Sequence, residues 1–192
     1  MIFHFYELSA ALWVHVAAFE TTLREFVSVT LEECLKRQDW WNARTFFSKR
    51  EIKYLENCRS TFLSKRKLSS SQKFYEIPSL SFWLALISKK YGYRVWRNFE
   101  VAVPELKAYG RRNFQQKAIV IRDLRNAIAH HAPILHRNLA RDLAYMHELT
   151  ELLSPNLAQA LKERSKAEEL VSRLKINTPG AKLLTTHPGD PK

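Results

Sequence analysis

Hydrophobic residues recur along most of this chain with the 3.6-residue period of a helix, and almost nowhere with the alternation of a half-buried strand. From about Phe5 to Lys36, the positions Leu12, His15/Val16, Phe19, Leu23, Phe26/Val27 and Leu31 mark one face of a first long helix. Asp39-Trp40-Trp41-Asn42 interrupts it. Ser48 can cap a second helix running to about Arg66, with Ile52, Leu55, Cys58 and Phe62 at helical spacing. Pro78-Ser79 opens a third, in which Phe82, Trp83, Leu86 and Ile87 bury one side and Tyr91-Gly92 ends or kinks the element. A fourth spans Arg112 to His131, and a fifth about Arg137 to Leu153. Pro155 suits the first turn of a sixth, to about Leu174. The pattern predicts an all-α bundle of about six helices, in one domain over 1–176. The remainder, 177–192, holds three of the seven prolines and two of the four glycines, and is expected to be a disordered tail.

Composition sharpens this picture. With 46% hydrophobic and 12% aromatic residues the chain can bury a sizeable core, and its 4 glycines fit helices better than sheets. The formal net charge of +12 points to nucleic acid or an acidic surface as partner, or to a merely basic exterior. The charge is concentrated: between Leu106 and Arg141 stand eight Lys or Arg against one acid, Asp123. Arg111, Arg112, Lys117, Arg122 and Arg137 are the cations expected to meet RNA phosphates. Cys34 and Cys58 form no metal spacing and fit a reducing cytosol. The start, MIFHFYELSA, lacks the basic region of a secretory signal, and the apolar run Leu8 to Phe19 is too short to span a bilayer. A cytoplasmic protein with no membrane association is expected.

The chemistry gathers in Ile121 to His136, IRDLRNAIAHHAPILH. Ile121, Leu124 and Ile128 fall at i, i+3 and i+7 on one face, and Pro133 limits the helix near His130 or His131. At about 100° per residue, Arg122, Asn126 and His130 form a polar stripe opposite that face, with Arg125 on its flank. The same wheel turns His131 toward the apolar side, as a packed or supporting group. Two histidines at a helix C-terminus can also simply favour the negative end of the helix dipole. Elsewhere, Glu20 and Arg24 at i, i+4 make either an ordinary helix pair or part of a site. Trp40-Trp41 and Trp96 either pack or stack on bases, packing being the commoner use. The basic, serine-rich stretch Lys65 to Lys73 is either an RNA-facing mobile loop or a solvated one. No phosphate-binding glycine loop and no Ser-His-Asp arrangement is legible. His130, His131, His136 and His147 match no familiar metal pattern, so no metal or other cofactor is expected.

The segment LRNAIAHHAPI, 124–134, resembles the C-terminal signature of the Abi-like (abortive-infection) proteins of the HEPN superfamily, Arg-Asn-x-x-x-His. Two other stretches agree in order. FETTLREFVSVTLEECL with Asp39-Trp40-Trp41 resembles the family's first long helix, and LSFWLALISKKY, 80–91, its middle helix. The likeness covers most of 8–175. It departs at Glu25, where a residue such as Asn would follow the arginine. The resemblance implies a HEPN-like helical bundle and a metal-independent endoribonuclease, toxin or antiphage effector, acting as a homodimer under an antitoxin or regulatory protein. Its matched catalytic positions are Arg125, Asn126 and His130, with His131, Glu20 and Arg24 as possible auxiliaries.

The residue chemistry is consistent with that reading. RNA carries its own nucleophile, the 2′-OH, so a site needs only proton transfer and charge stabilisation. Histidine can move the proton near neutrality. Arginine can hold the phosphate and the charge of the transition state. One His serves one proton transfer, so a second copy of the motif across a two-fold axis would supply the other. A non-catalytic RNA- or protein-binding module of the same fold is the competing expectation.

Overall fold

The structure is a computed structural model that describes residues 2–66 and 73–176. Among them it is all helix, without a strand. The α-helices are α1 (Ile2–Leu35), α2 (Lys49–Arg66), α3 (Leu80–Leu86), α4 (Arg97–Ala102), α5 (Glu105–Tyr109), α6 (Arg111–Ala129), α7 (Leu139–Leu153), α8 (Pro155–Arg164) and α9 (Ala167–Ile176). Most of the serine-rich loop expected at 65–73, and all of the tail expected at 177–192, lie outside the described residues.

Three of the expected helices keep close to their expected bounds at α1, α2 and α6, and the fifth matches α7. The other two are divided. The third breaks after Leu86, passes through a π-helical turn at Gly92–Trp96, at the kink expected at Tyr91-Gly92, and resumes as α4, with the short α5 beyond its expected end. The sixth breaks at Ser165, whose backbone is extended and whose Oγ accepts from Ala167 N–H at 3.1 Å. A serine side chain that satisfies a nearby backbone donor competes with the helix ladder. The break lets α9 turn back onto α7 and α1.

The long helix α1 is the axis of the bundle and packs on α7, α6, α3 and α9. Leu12, Val16, Phe19, Leu23, Val27 and Leu31 are fully buried along one side, as their spacing predicts. Beyond its C-terminus an aromatic cluster fills the space toward α2 and α3. Trp40 is fully buried, donates from Nε1 to Ser28 Oγ at 3.0 Å, and meets Phe74 and Trp83 edge-on. Trp41 stacks on Phe74 with ring centroids 4.1 Å apart. Trp96 is buried against Phe99 and Phe114. These tryptophans are therefore core, not base platforms.

Local sequence sets the starts of α2, α6 and α7. At α2, Ser48 and Glu51 form a reciprocal capping box, with Ser48 N–H donating to Glu51 at 2.9 Å. Gly110, at φ 82°, turns the chain sharply between α5 and α6, a conformation costly for any side chain. At the N-terminus of α7, Asn138 accepts from Arg141 N–H.

Candidate functional site

The polar end of α6 lies against α1. Phe114, Ala118, Ile121 and Leu124 are buried, which presents Arg125 sideways to α1 and leaves Asn126 in solvent. The Arg125 guanidinium meets two residues of α1. Its Nε stands 3.4 Å from Glu20 Oε2, and its carbon lies 5.8 Å from the centroid of the Trp13 ring. Glu20 is buried and also pairs tightly with Arg24, whose Nη1 reaches the carbonyl of Glu76 at 3.4 Å. One carboxylate thus bridges two arginines, which offsets the cost of burying it. Arg125 Nη1 also approaches Asn126 Oδ1 at 3.5 Å.

So Glu20, Arg24, Arg125 and Asn126 come together, although 105 residues separate Glu20 from Arg125. The Glu20–Arg24 pair is more than an ordinary surface pair, because it orients the motif arginine. Trp13 went unremarked in the sequence. The available signal was its register: Trp13, Glu20 and Arg24 fall at i, i+7 and i+11, one stripe of α1. Trp13 is 37% exposed, so the guanidinium sits on an open aromatic face.

The helix ends at Ala129, and both histidines lie beyond it. His130 N–H bonds to Asn126 O, His131 N–H to Ile128 O, and Ala132 N–H to Ala127 O at 2.8 Å. This is the Schellman arrangement, with His131 at φ 53° in the place usually taken by glycine. It corrects the expectation that His131 packs against the apolar side. Once the chain turns left-handed the helical wheel no longer applies, and His131 is exposed. His130 is exposed too, as expected. Among the described residues no hydrogen bond joins either ring to Arg125.

The cations expected to meet RNA behave differently from one another. Lys117 bonds both Glu148 oxygens at 2.7 Å and lies between the rings of Tyr109 and Tyr145. Arg137 pairs with the fully buried Asp142 at 2.8 Å and donates to Val120 O, with Arg141 on the same carboxylate. Arg111 donates to Ile87 O and Gln115 Oε1. These three hold the fold together. Arg122 pairs with its neighbour Asp123 and stays partly exposed. Arg112 is exposed and has no charged partner among the described residues. Asp142 lies one residue past the end of the basic segment, and α7 brings Glu148 back against it.

On another side of α1, His15 and His147 form a second polar group. Their rings lie 4.7 Å apart, with His147 Nε2 3.2 Å from His15 Nδ1. His15 Nε2 meets Ser165 Oγ at 2.7 Å, and His147 Nδ1 stands 3.4 Å from Glu168. Burial first, and then His147, hold the His15 pKa down at about 4. Burial also lowers His147, against the pull of Glu168.

Among the described residues no three His, Cys, Asp or Glu side chains gather as a metal would require, and no helix is long and apolar enough to cross a membrane. No family model, curated protein or solved structure matches the chain.

Proposed function

We propose that this chain is a metal-independent endoribonuclease of HEPN type, a toxin or antiphage effector that acts in the cytoplasm and cuts RNA through its own 2′-OH. The observation that supports the reading is the seating of Arg125. A buried carboxylate fixes one edge of its guanidinium, an aromatic ring lies beneath it, and Asn126 and His130 follow at the open end of the same helix. Such a fork is oriented before substrate arrives. A phosphate meeting Arg125 at Nη2, the nitrogen that neither Glu20 nor Asn126 engages, would find charge stabilisation with little reorganisation. Trp13, partly exposed, backs the guanidinium and helps hold its plane.

His130 carries the proton transfer. It stands apart from Arg125 in one chain, so a scissile phosphate would bridge the two groups. The second acid or base comes from His130 of another copy, in a two-fold dimer. A regulatory partner that covers this end of α6 would silence the site.

The competing reading is a non-catalytic RNA- or protein-binding module. The internal engagement of Arg111, Lys117 and Arg137 favours its protein-binding form, since it removes much of the expected phosphate-binding surface. Purified protein incubated with bulk cellular RNA in EDTA, beside His130→Ala, separates the two. Cleavage in chelator, leaving 2′,3′-cyclic phosphate and 5′-OH ends and reduced about 10²- to 10⁴-fold in the variant, supports the nuclease. Binding without cleavage supports the module, and 5′-phosphate ends would falsify the 2′-OH mechanism.

A further inference from the structure

The relay that joins α1, α7 and α9 ends in a hydroxyl at an open cavity. Glu168, when ionised, can only accept, so it favours a proton on His147 Nδ1, 3.4 Å away. His147 Nε2 is then an acceptor and takes the Nδ1 proton of His15 at 3.2 Å. His15 Nε2 is left as an acceptor, facing Ser165 Oγ at 2.7 Å. In this tautomer donation runs one way, from His15 Nδ1 to His147, and leaves Nε2 of His15 for Ser165. His15 is 1% exposed and burial lowers its pKa, so at neutral pH the ring is neutral and Nε2 is open to the hydroxyl hydrogen, as a weaker base than a free imidazole.

Ser165 itself is only half-buried and lines a cavity of about 490 Å³. Ala10, Val14, Leu157 and Leu161 give that cavity an apolar wall, and Arg164 and Lys166 flank the serine. The Ala167 N–H, 3.1 Å from Oγ, opens the first turn of α9, where backbone donors have no carbonyl inside the helix. A histidine in contact with the hydroxyl, a second histidine behind it and an apolar recess beside it together make a nucleophile site.

We propose that Ser165 is an activated nucleophile, with His15 as its general base, oriented through His147 and Glu168, and that it accepts the acyl group of a carboxylic ester. The apolar wall suits a small hydrophobic acyl part, and Arg164 and Lys166 suit a leaving group bearing negative charge. Ser165 Oγ bonds the carbonyl carbon as its proton passes to His15 Nε2. The carbon–oxygen bond to the alcohol breaks, and the departing oxygen takes that proton. Water then adds to the acyl-serine and gives its proton to His15. The acyl–Oγ bond breaks, the carboxylic acid leaves, and the proton returns to Ser165. The inference is independent of the ribonuclease reading, because none of these residues belongs to the Arg125 site.

The test uses the full chain, a fluorophosphonate probe and 4-nitrophenyl butyrate. Mass spectrometry is expected to find the phosphonyl adduct on the peptide that contains Ser165, with ester turnover blocked by the adduct. Ser165→Asn keeps an acceptor for the Ala167 N–H, and so the turn into α9, while removing the nucleophile. It should melt as the native protein does and take no label. His15→Gln should slow labelling about 100-fold or more. His147→Gln, which acts through His15, should slow it less while leaving the KM for the ester unchanged. A native protein that takes no label, an adduct on another residue, or equal labelling of His15→Gln and native protein would each overturn the proposal. In that event Ser165 serves only to start α9.

Discussion

Arg125 and His131 both depart from ordinary helix-surface behaviour, and each carries a test. The guanidinium of Arg125 meets Glu20 through Nε and Asn126 through Nη1 while its face covers Trp13. A lysine keeps the charge but has neither the plane nor the fork. On the ribonuclease reading, Arg125→Lys is expected to cleave RNA at least about 10-fold more slowly than the native protein. Native-like cleavage by the lysine variant would show that only net charge matters there. His131 holds a left-handed conformation that disfavours side chains by about 1 kcal/mol. His131→Gly should therefore raise stability by about that amount, seen as a higher urea midpoint with an unchanged slope. A lower midpoint would mean that the exposed ring makes a contact worth more than the strain.

Elements meet in this protein through buried polar groups as well as through apolar faces. The α6–α7 corner closes on Asp142, which is fully buried between Arg137 and Arg141. The α1–α7–α9 junction closes on His15 and His147, and this makes it sensitive to acid. An unfolded histidine titrates near 6.5, and folded His15 near 4. Between those values the unfolded chain binds a proton that the folded chain refuses. The contribution is therefore complete above about pH 6.5 and is lost as pH falls toward 4. His147 is shifted in the same direction, while Glu168 and Glu151 oppose its shift and Lys162 adds to it. The lowered pKa of His15 accounts for as much as about 3 kcal/mol of that loss. Urea unfolding at pH 7 and at pH 4.5 should show the loss, and His15→Gln should reduce the difference between the two. An identical pH dependence in that variant would place the acid sensitivity elsewhere.

The whole molecule presents less free positive charge than its composition suggests. Lys117 and Arg137 face acids drawn from α7, and Arg111 is fixed to a backbone carbonyl. RNA affinity is therefore expected to fall with salt, but with fewer ions released than the basic segment alone would give. Arg112→Ala should lower the logarithmic salt slope by about 0.7 to 0.9. Arg111→Ala should instead lower the melting temperature, by freeing the carbonyl of Ile87. Equal effects of the two substitutions on the slope would show that Arg111 leaves its internal partners to meet the nucleic acid.

The sequence by itself was sufficient for the helical class, for the bounds of α1, α2, α6 and α7, and for the buried faces of α1 and α6. Those depend on local periodicity and on capping residues such as Ser48 and Pro155, whose signals lie within one or two turns. It also showed Arg125, Asn126 and His130 as a group, because they share one turn and a half of chain. The kink at Gly92 was legible in Tyr91-Gly92, but the break already after Leu86 and the one at Ser165 were not, since a helical pattern continues through both. Nor does periodicity show that Glu20 turns toward Arg125, that Glu148 neutralises Lys117, or that His15 meets Ser165 across 150 residues. Those outcomes depend on which faces pack together. A buried charge or imidazole must find its partner wherever the fold brings one within about 3 Å, at any separation along the chain.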